Sequence, residues 1–213
     1  MKKLILAATF ASLVFASCTP ASPTSTLTAP RVSTEAKDIE SPAFGKAEAK
    51  VEVKIFSDYQ CPACQRFHSL IEPKLRSEYA DAGKISLVYK NYPLPQHQNA
   101  EGDAVAGMCA LSMGKYLEFS EGMYALEGTK TNADVTDAER IEVAKAAGIA
   151  DLAEFGKCLS ENWYLSRISK DRAEGDRLGL DHTPSAYFND QIVDFKSVEE
   201  FFAILDASLS AAK

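Results

Sequence analysis

Cys61 and Cys64 flank Pro62 and Ala63 in the stretch FSDYQCPACQRFH, residues 56–68. Residues i and i+3 of a helix lie on one face about a turn apart, so two sulfurs there can bond and part with little backbone movement. At a helix N-terminus, unpaired N–H groups and the positive end of the macrodipole favour a thiolate, bringing a cysteine's pKa into the ~3.5–7.5 range. The spacing therefore makes Cys61 the nucleophile and leaving group. Cys64, a turn further in and on the apolar face, is the thiol that resolves a mixed disulfide. Two blander uses compete. Cys61, Cys64 and His68 could offer zinc three ligands, but a tetrahedral site needs a fourth, and the sequence has no second CxxC or nearby cysteine to supply it. A purely structural disulfide would close too short a loop to constrain the unfolded chain much. Redox chemistry is the favoured reading, and it needs neither a metal nor another cofactor.

Such a pair must be held by a strand leading into a helix. VEVKIF, Val51 to Phe56, alternates apolar and charged residues as a strand with one face on a core does. From Cys61 the period changes: Cys64, Phe67, Ile71, Leu75 and Tyr79 predict one amphipathic helix ending near Gly83, with Pro62 in its first turn, where the missing N–H is harmless. ISLVYK, Ile85 to Lys90, reads as a second strand, closed by a loop with Pro93 and Pro95. Residues 99–179 show helical spacing only, through Val105, Met108, Cys109 and Leu111, then Tyr116, Leu117, Phe119 and Met123. Thr136 and Glu139 form a capping box for a helix that stops at Gly148, and Leu152, Phe155 and Leu159 lead a final long segment to about Gly179. Strands return in SAYFN and QIVDF, a hairpin turning at Asn189-Asp190, and a helix from about Ser197 to Leu209 closes the chain. The order predicts an α/β fold in which residues 44–98 and 180–213 form the two halves of one sheet domain and 99–179 an all-helical insertion between them.

The basic start Met1-Lys2-Lys3 and the apolar run Leu4 to Phe15 predict an export signal over residues 1–17, too short to span a bilayer as an anchor. VFASC, ending at Cys18, resembles a bacterial lipoprotein signal with Phe15 in place of the usual leucine; the alternative is an ordinary cleavable signal, with Cys18 left as a stray thiol or trimmed away. Pro, Ser and Thr dominate the residues that follow, so 18–43 reads as a tether rather than part of the fold. Without Lys2 and Lys3 the chain has 21 basic and 30 acidic residues, a net charge of −9, which argues against nucleic acid as a partner.

Four stretches together, AKVEVKIFSDYQCPACQRFH, YKNYPL, AGMCALSMGKY and DHTPSAYFN, resemble the DsbA-like thiol:disulfide oxidoreductases of the thioredoxin superfamily from about Phe44 to the C-terminus. The resemblance implies a thioredoxin fold with a helical insertion. It implies that Pro184 is a cis-proline facing the Cys61–Cys64 pair, with Thr183 offering backbone groups to an extended substrate. It also implies a structural disulfide between Cys109 and Cys158, on the order of 4 kcal/mol in the chain-entropy model; two unpaired core thiols are the alternative. The chain departs from the family pattern in two places. Ile55 stands six positions before Cys61, where relatives often carry a buried, proton-relaying Glu; the nearest acid is Asp58, which could move protons but is better read as capping the helix or sitting in a solvated loop. His182 stands where a Gly commonly precedes the Thr-Pro pair, and could favour the Cys61 thiolate when protonated or be a surface histidine. His68 and His97 read as helix and loop residues without chemistry.

The expected activity is oxidation of cell-envelope proteins by an exported, lipid-anchored enzyme. Its substrates would be reduced or misoxidised envelope proteins, and a quinone-linked membrane oxidoreductase would reoxidise it, as the resemblance implies. A disulfide reductase or isomerase in the same compartment is one alternative; a binding lipoprotein whose disulfide never turns over is the other.

Overall fold

The computed structural model describes residues 39–130 and 135–212. The expected signal peptide, the Cys18 lipid site and most of the expected tether lie outside the described residues. Among those described, no helix is long and apolar enough to cross a membrane.

The core is a mixed sheet of five strands in the order β1-β3-β2-β4-β5. β2 (Glu52–Ser57) is central, parallel to β3 (Ser86–Asn91) and antiparallel to β4 (Ser185–Phe188). β1 (Ala43–Gly45) and β5 (Gln191–Val193) form the edges. α1 (Pro62–Leu70) makes the crossover between β2 and β3 that a parallel pair requires, continued by α2 (Glu72–Lys74) and a π-helical stretch, Leu75–Ala80. α3 (Ala100–Ser112), α4 (Tyr116–Thr129), α5 (Asp137–Ala146), α6 (Leu152–Ser160) and α7 (Leu165–Arg177) lie between β3 and β4, and α8 (Val198–Ala211) closes the chain.

Alternation along β2 divides the core. Val53 and Ile55 join Leu87, Phe188, Phe67, Leu75 and Phe201 on the face covered by α1 and α8. Phe56 points the other way, onto Tyr92, Leu180 and Tyr187. The insertion has its own core around Met108, Phe119, Met123 and Phe155. α7 ties it to the sheet through Lys90 of β3, which pairs with Asp171 at 3.3 Å and Glu174 at 2.9 Å.

The structure corrects the sequence in three places. The helix expected from Cys61 to Gly83 breaks at Ile71, because Pro73, in the first turn of α2, has no N–H to continue the i−4 ladder of α1. The long segment expected after Leu152 is two helices, separated where Asn162 takes φ +50°, a left-handed conformation that asparagine tolerates. β1, three residues long, is too short to leave a periodic signal. The hairpin turns at Asn189 and Asp190, with φ +48° and +62°, and Asp190 reaches Lys54 at 2.7 Å.

Candidate active site

β2 delivers the chain to Ser57, and the next four residues set where the sulfurs fall. Asp58 is 3% exposed; its carboxylate accepts from the amides of Gln60 at 2.8 Å and Leu94 at 2.9 Å and contacts His97 Nδ1 at 2.8 Å. It neither caps α1, which has no side-chain cap, nor sits in solvent; it ties the loop before Cys61 to the Pro93–His97 loop. His97, read as an idle loop residue, is half of that tie. Asp58→Ala is expected to destabilise the protein by about 3 kcal/mol in urea unfolding, since it strands two amides and a histidine together. A loss below about 1 kcal/mol would show the loop to be held otherwise. Tyr59 fixes the same loop from the insertion side, its hydroxyl 2.6 Å from Ser120 Oγ. Gly107 of α3 makes room for it, since a Cβ there would fall 2.7 Å from the Tyr59 hydroxyl.

Cys61 is the N-cap of α1, with Pro62 in the first turn. Both cysteines are reduced thiols here; Cys61 is 7% exposed and Cys64 1%. The Cys61 Sγ lies 3.3 Å from the Thr183 carbonyl oxygen, and the Thr183–Pro184 bond is cis. A hydrogen bond from the Cys64 thiol, then Thr183 and the amides of Cys64 and Ala63, outweigh burial and bring the Cys61 thiol down to about 5. The largest contributor is thus the second sulfur rather than the helix terminus alone. Burial and the negative charge developing on Cys61 push Cys64 the opposite way, well above an ordinary cysteine. The Thr183 hydroxyl is buried and makes no hydrogen bond of normal geometry, yet its dipole lies close enough to favour the thiolate form of both sulfurs. The pair is therefore polarised: one thiolate at the surface edge and one protonated thiol behind it.

His182 does not join this group. Its side chain is 59% exposed and faces Asp181 at 2.7 Å, while its carbonyl accepts from Ser185 Oγ at 2.8 Å. With Ala63, Thr183 and Pro184 it lines one end of an open groove of about 660 Å³, whose apolar wall includes Leu70, 61% exposed, and Phe195. Cys109 of α3 and Cys158 of α6 form a disulfide, with Cα atoms 6.0 Å apart, in the insertion core. Sequence reasoning missed Ser57 and Tyr124. The Ser57 hydroxyl favours the Cys64 thiolate and lies 2.7 Å from Tyr124 Oη. Ser57 shares a face of β2 with Ile55, so alternation alone could have placed it near the pair; nothing in the sequence marks which insertion residue returns to meet it.

The chain matches the family model described as Thioredoxin over residues 37–207. It is 28% identical over 163 residues to the probable disulfide bond formation protein D of Bacillus cereus, covering 74% of this chain and 75% of that one. Its fold is shared with oxidised BdbD from Bacillus subtilis, at TM-score 0.73 and 23% identity over 80% of this chain and 93% of the other. DsbA of Chlamydia trachomatis superposes at TM-score 0.70 and 17% identity, over 84% and 96%. A thiol pair at a helix N-terminus, a mixed sheet interrupted by helices and a family match across most of the described residues lead to one conclusion: the chain belongs to the thioredoxin family, as one of its DsbA-like thiol:disulfide oxidoreductases.

Proposed function

We propose that this thiol:disulfide oxidoreductase works as an oxidant, passing its Cys61–Cys64 disulfide to reduced proteins of the bacterial cell envelope. The observation that carries the reading is the stabilised Cys61 thiolate of the reduced form, at about 5. Whatever stabilises that thiolate stabilises the reduced enzyme relative to the disulfide, and so makes the disulfide a stronger oxidant. The name of the Bacillus cereus relative, disulfide bond formation protein D, points the same way.

A substrate thiolate attacks Cys61 Sγ, the Cys61–Cys64 bond breaks, and its electron pair goes to Cys64. A second substrate thiolate then attacks the substrate sulfur bound to Cys61, leaving an oxidised substrate and the Cys61 thiolate. Thr183, before the cis bond, is set to hold an extended chain across the pair, and the groove with Leu70 and Phe195 to take its apolar side chains. A quinone-linked membrane oxidoreductase reoxidises the dithiol, and a lipid on Cys18 keeps the enzyme at the membrane surface.

Equilibration with glutathione redox buffers tests the direction. The oxidant reading expects a potential above about −200 mV; a value near −270 mV, in the range of thioredoxin-like reductants, would overturn it in favour of a reductase.

A further inference from the structure

We propose that Glu72, acting through Tyr124 and Ser57, carries the proton that Cys64 takes up when the active-site disulfide opens and gives up when it closes. The proposal rests on the exchange chemistry assigned to this pair.

Cys64 has a proton-transfer problem. When the disulfide opens, the electron pair arrives on a sulfur 1% exposed, where burial and the neighbouring Cys61 favour the thiol. Closing the disulfide requires that proton to leave again. Ile55, on β2, is apolar and buried, and the carboxylate of Asp58 is already engaged by two amides and His97.

A polar path leads the other way. The Ser57 hydroxyl favours the Cys64 thiolate and lies 2.7 Å from Tyr124 Oη. Tyr124 and Glu72 both border a small interior cavity of about 20 Å³, shared with Tyr59, Tyr89 and Tyr116, which has room for a single water. The Tyr89 hydroxyl is buried beside this cavity with no hydrogen bond of normal geometry, and the Glu72 carboxylate lies close enough to favour its protonated form. Tyr124 and Glu72 also border an open cleft of about 550 Å³ with His68. These two side chains therefore line both the small cavity that Ser57 borders and the cleft open to bulk water. Glu72 is 7% exposed and its carboxylate is 2.7 Å from His68 Nδ1; the His68 ring stacks on Tyr124 at 4.5 Å.

The ionisable groups facing Glu72 are His68 from α1, Tyr59 from the preceding loop, Tyr89 from β3, Tyr116, Tyr124 and, across the open cleft, Glu121 from α4, and Arg76 from the π-helical stretch. Lys90 also lines the cavity, but Asp171 and Glu174 hold its ammonium.

On opening, Cys64 takes the Ser57 hydroxyl proton, Ser57 takes that of Tyr124, and Tyr124 is resupplied by Glu72 through the cavity. Glu72 draws its proton from His68 or from solvent in the cleft. Closing runs the same transfers in reverse, and the only oxidant is the disulfide being exchanged.

The test isolates the closing step. The prereduced full chain is loaded at Cys61 with glutathione, and glutathione release as Cys64 closes the disulfide is followed by acid quench from pH 5 to 9. Wild type, Glu72→Gln, Tyr124→Phe and Ser57→Ala are compared. Each variant is expected to close at least about fivefold more slowly at pH 7, with the deficit vanishing near pH 9, where hydroxide takes the proton directly. The pH midpoint of Cys61 alkylation should stay where it is. Equal rates, or a deficit that is the same at every pH, would overturn the relay and leave the exchange reading intact; a wild type that releases no glutathione overturns both. Tyr124→Phe keeps the ring on His68 and decides the matter alone should Glu72→Gln fail to fold.

Discussion

Cys61→Ser is expected to lower the rate of thiol exchange with a reduced peptide by a thousandfold or more, about 4 kcal/mol of barrier. The loss is so large because Cys61 is both the sulfur attacked and the sulfur released, and a serine oxygen can be neither. Cys64→Ser should behave differently. Cys61 keeps its place against Thr183 and the α1 amides, so it should still attack oxidised glutathione, but the mixed disulfide should accumulate because no second sulfur resolves it. Mass spectrometry after acid quench distinguishes the two: no adduct with Cys61→Ser, one persistent glutathione adduct with Cys64→Ser. Exchange by Cys61→Ser at the wild-type rate would leave only a binding protein on this scaffold.

The second large effect lies away from the site. The Cys109–Cys158 bridge spans a sequence separation of 49 in the insertion core, beside Phe119 and Phe155. Changing both cysteines to alanine is expected to destabilise the protein by about 4 kcal/mol, chiefly by freeing the unfolded chain, and to lower Tm by roughly 10 °C. Exchange at 25 °C should persist, because α1, Thr183 and β2 do not depend on the bridge for their contacts with the sulfurs. A Tm within about 2 °C of wild type would mean that the helical core is held by packing alone.

These two sites were legible in the sequence to different degrees. CxxC after an alternating strand announces a reactive pair by local geometry alone. The pairing of Cys109 with Cys158, and a proline facing the sulfurs across the sheet, are long-range facts: Thr183 and Cys61 meet at a sequence distance of 122, and only the resemblance pointed there. Asp58 shows the limit of a local reading. Three residues before a helix, an aspartate looks like a cap or a solvated turn, and nothing nearby announces that the Pro93–His97 loop folds back over it to supply an amide and an imidazole. Glu72 was hidden in the same way. It was counted within a continuous amphipathic helix, whereas the break that Pro73 forces leaves it buried at the wall of a cavity. Elements came through because hydrophobic periodicity is local; the polar contacts that tune the sulfurs did not, because each joins residues from separate elements.

The surroundings of the Cys61 sulfur hold it as a thiolate. Alkylation of the prereduced protein with iodoacetamide across pH measures this directly, with Cys64 too buried to compete. The rate should reach half its maximum near pH 5. A midpoint near 8.5, that of a free cysteine, would contradict the account.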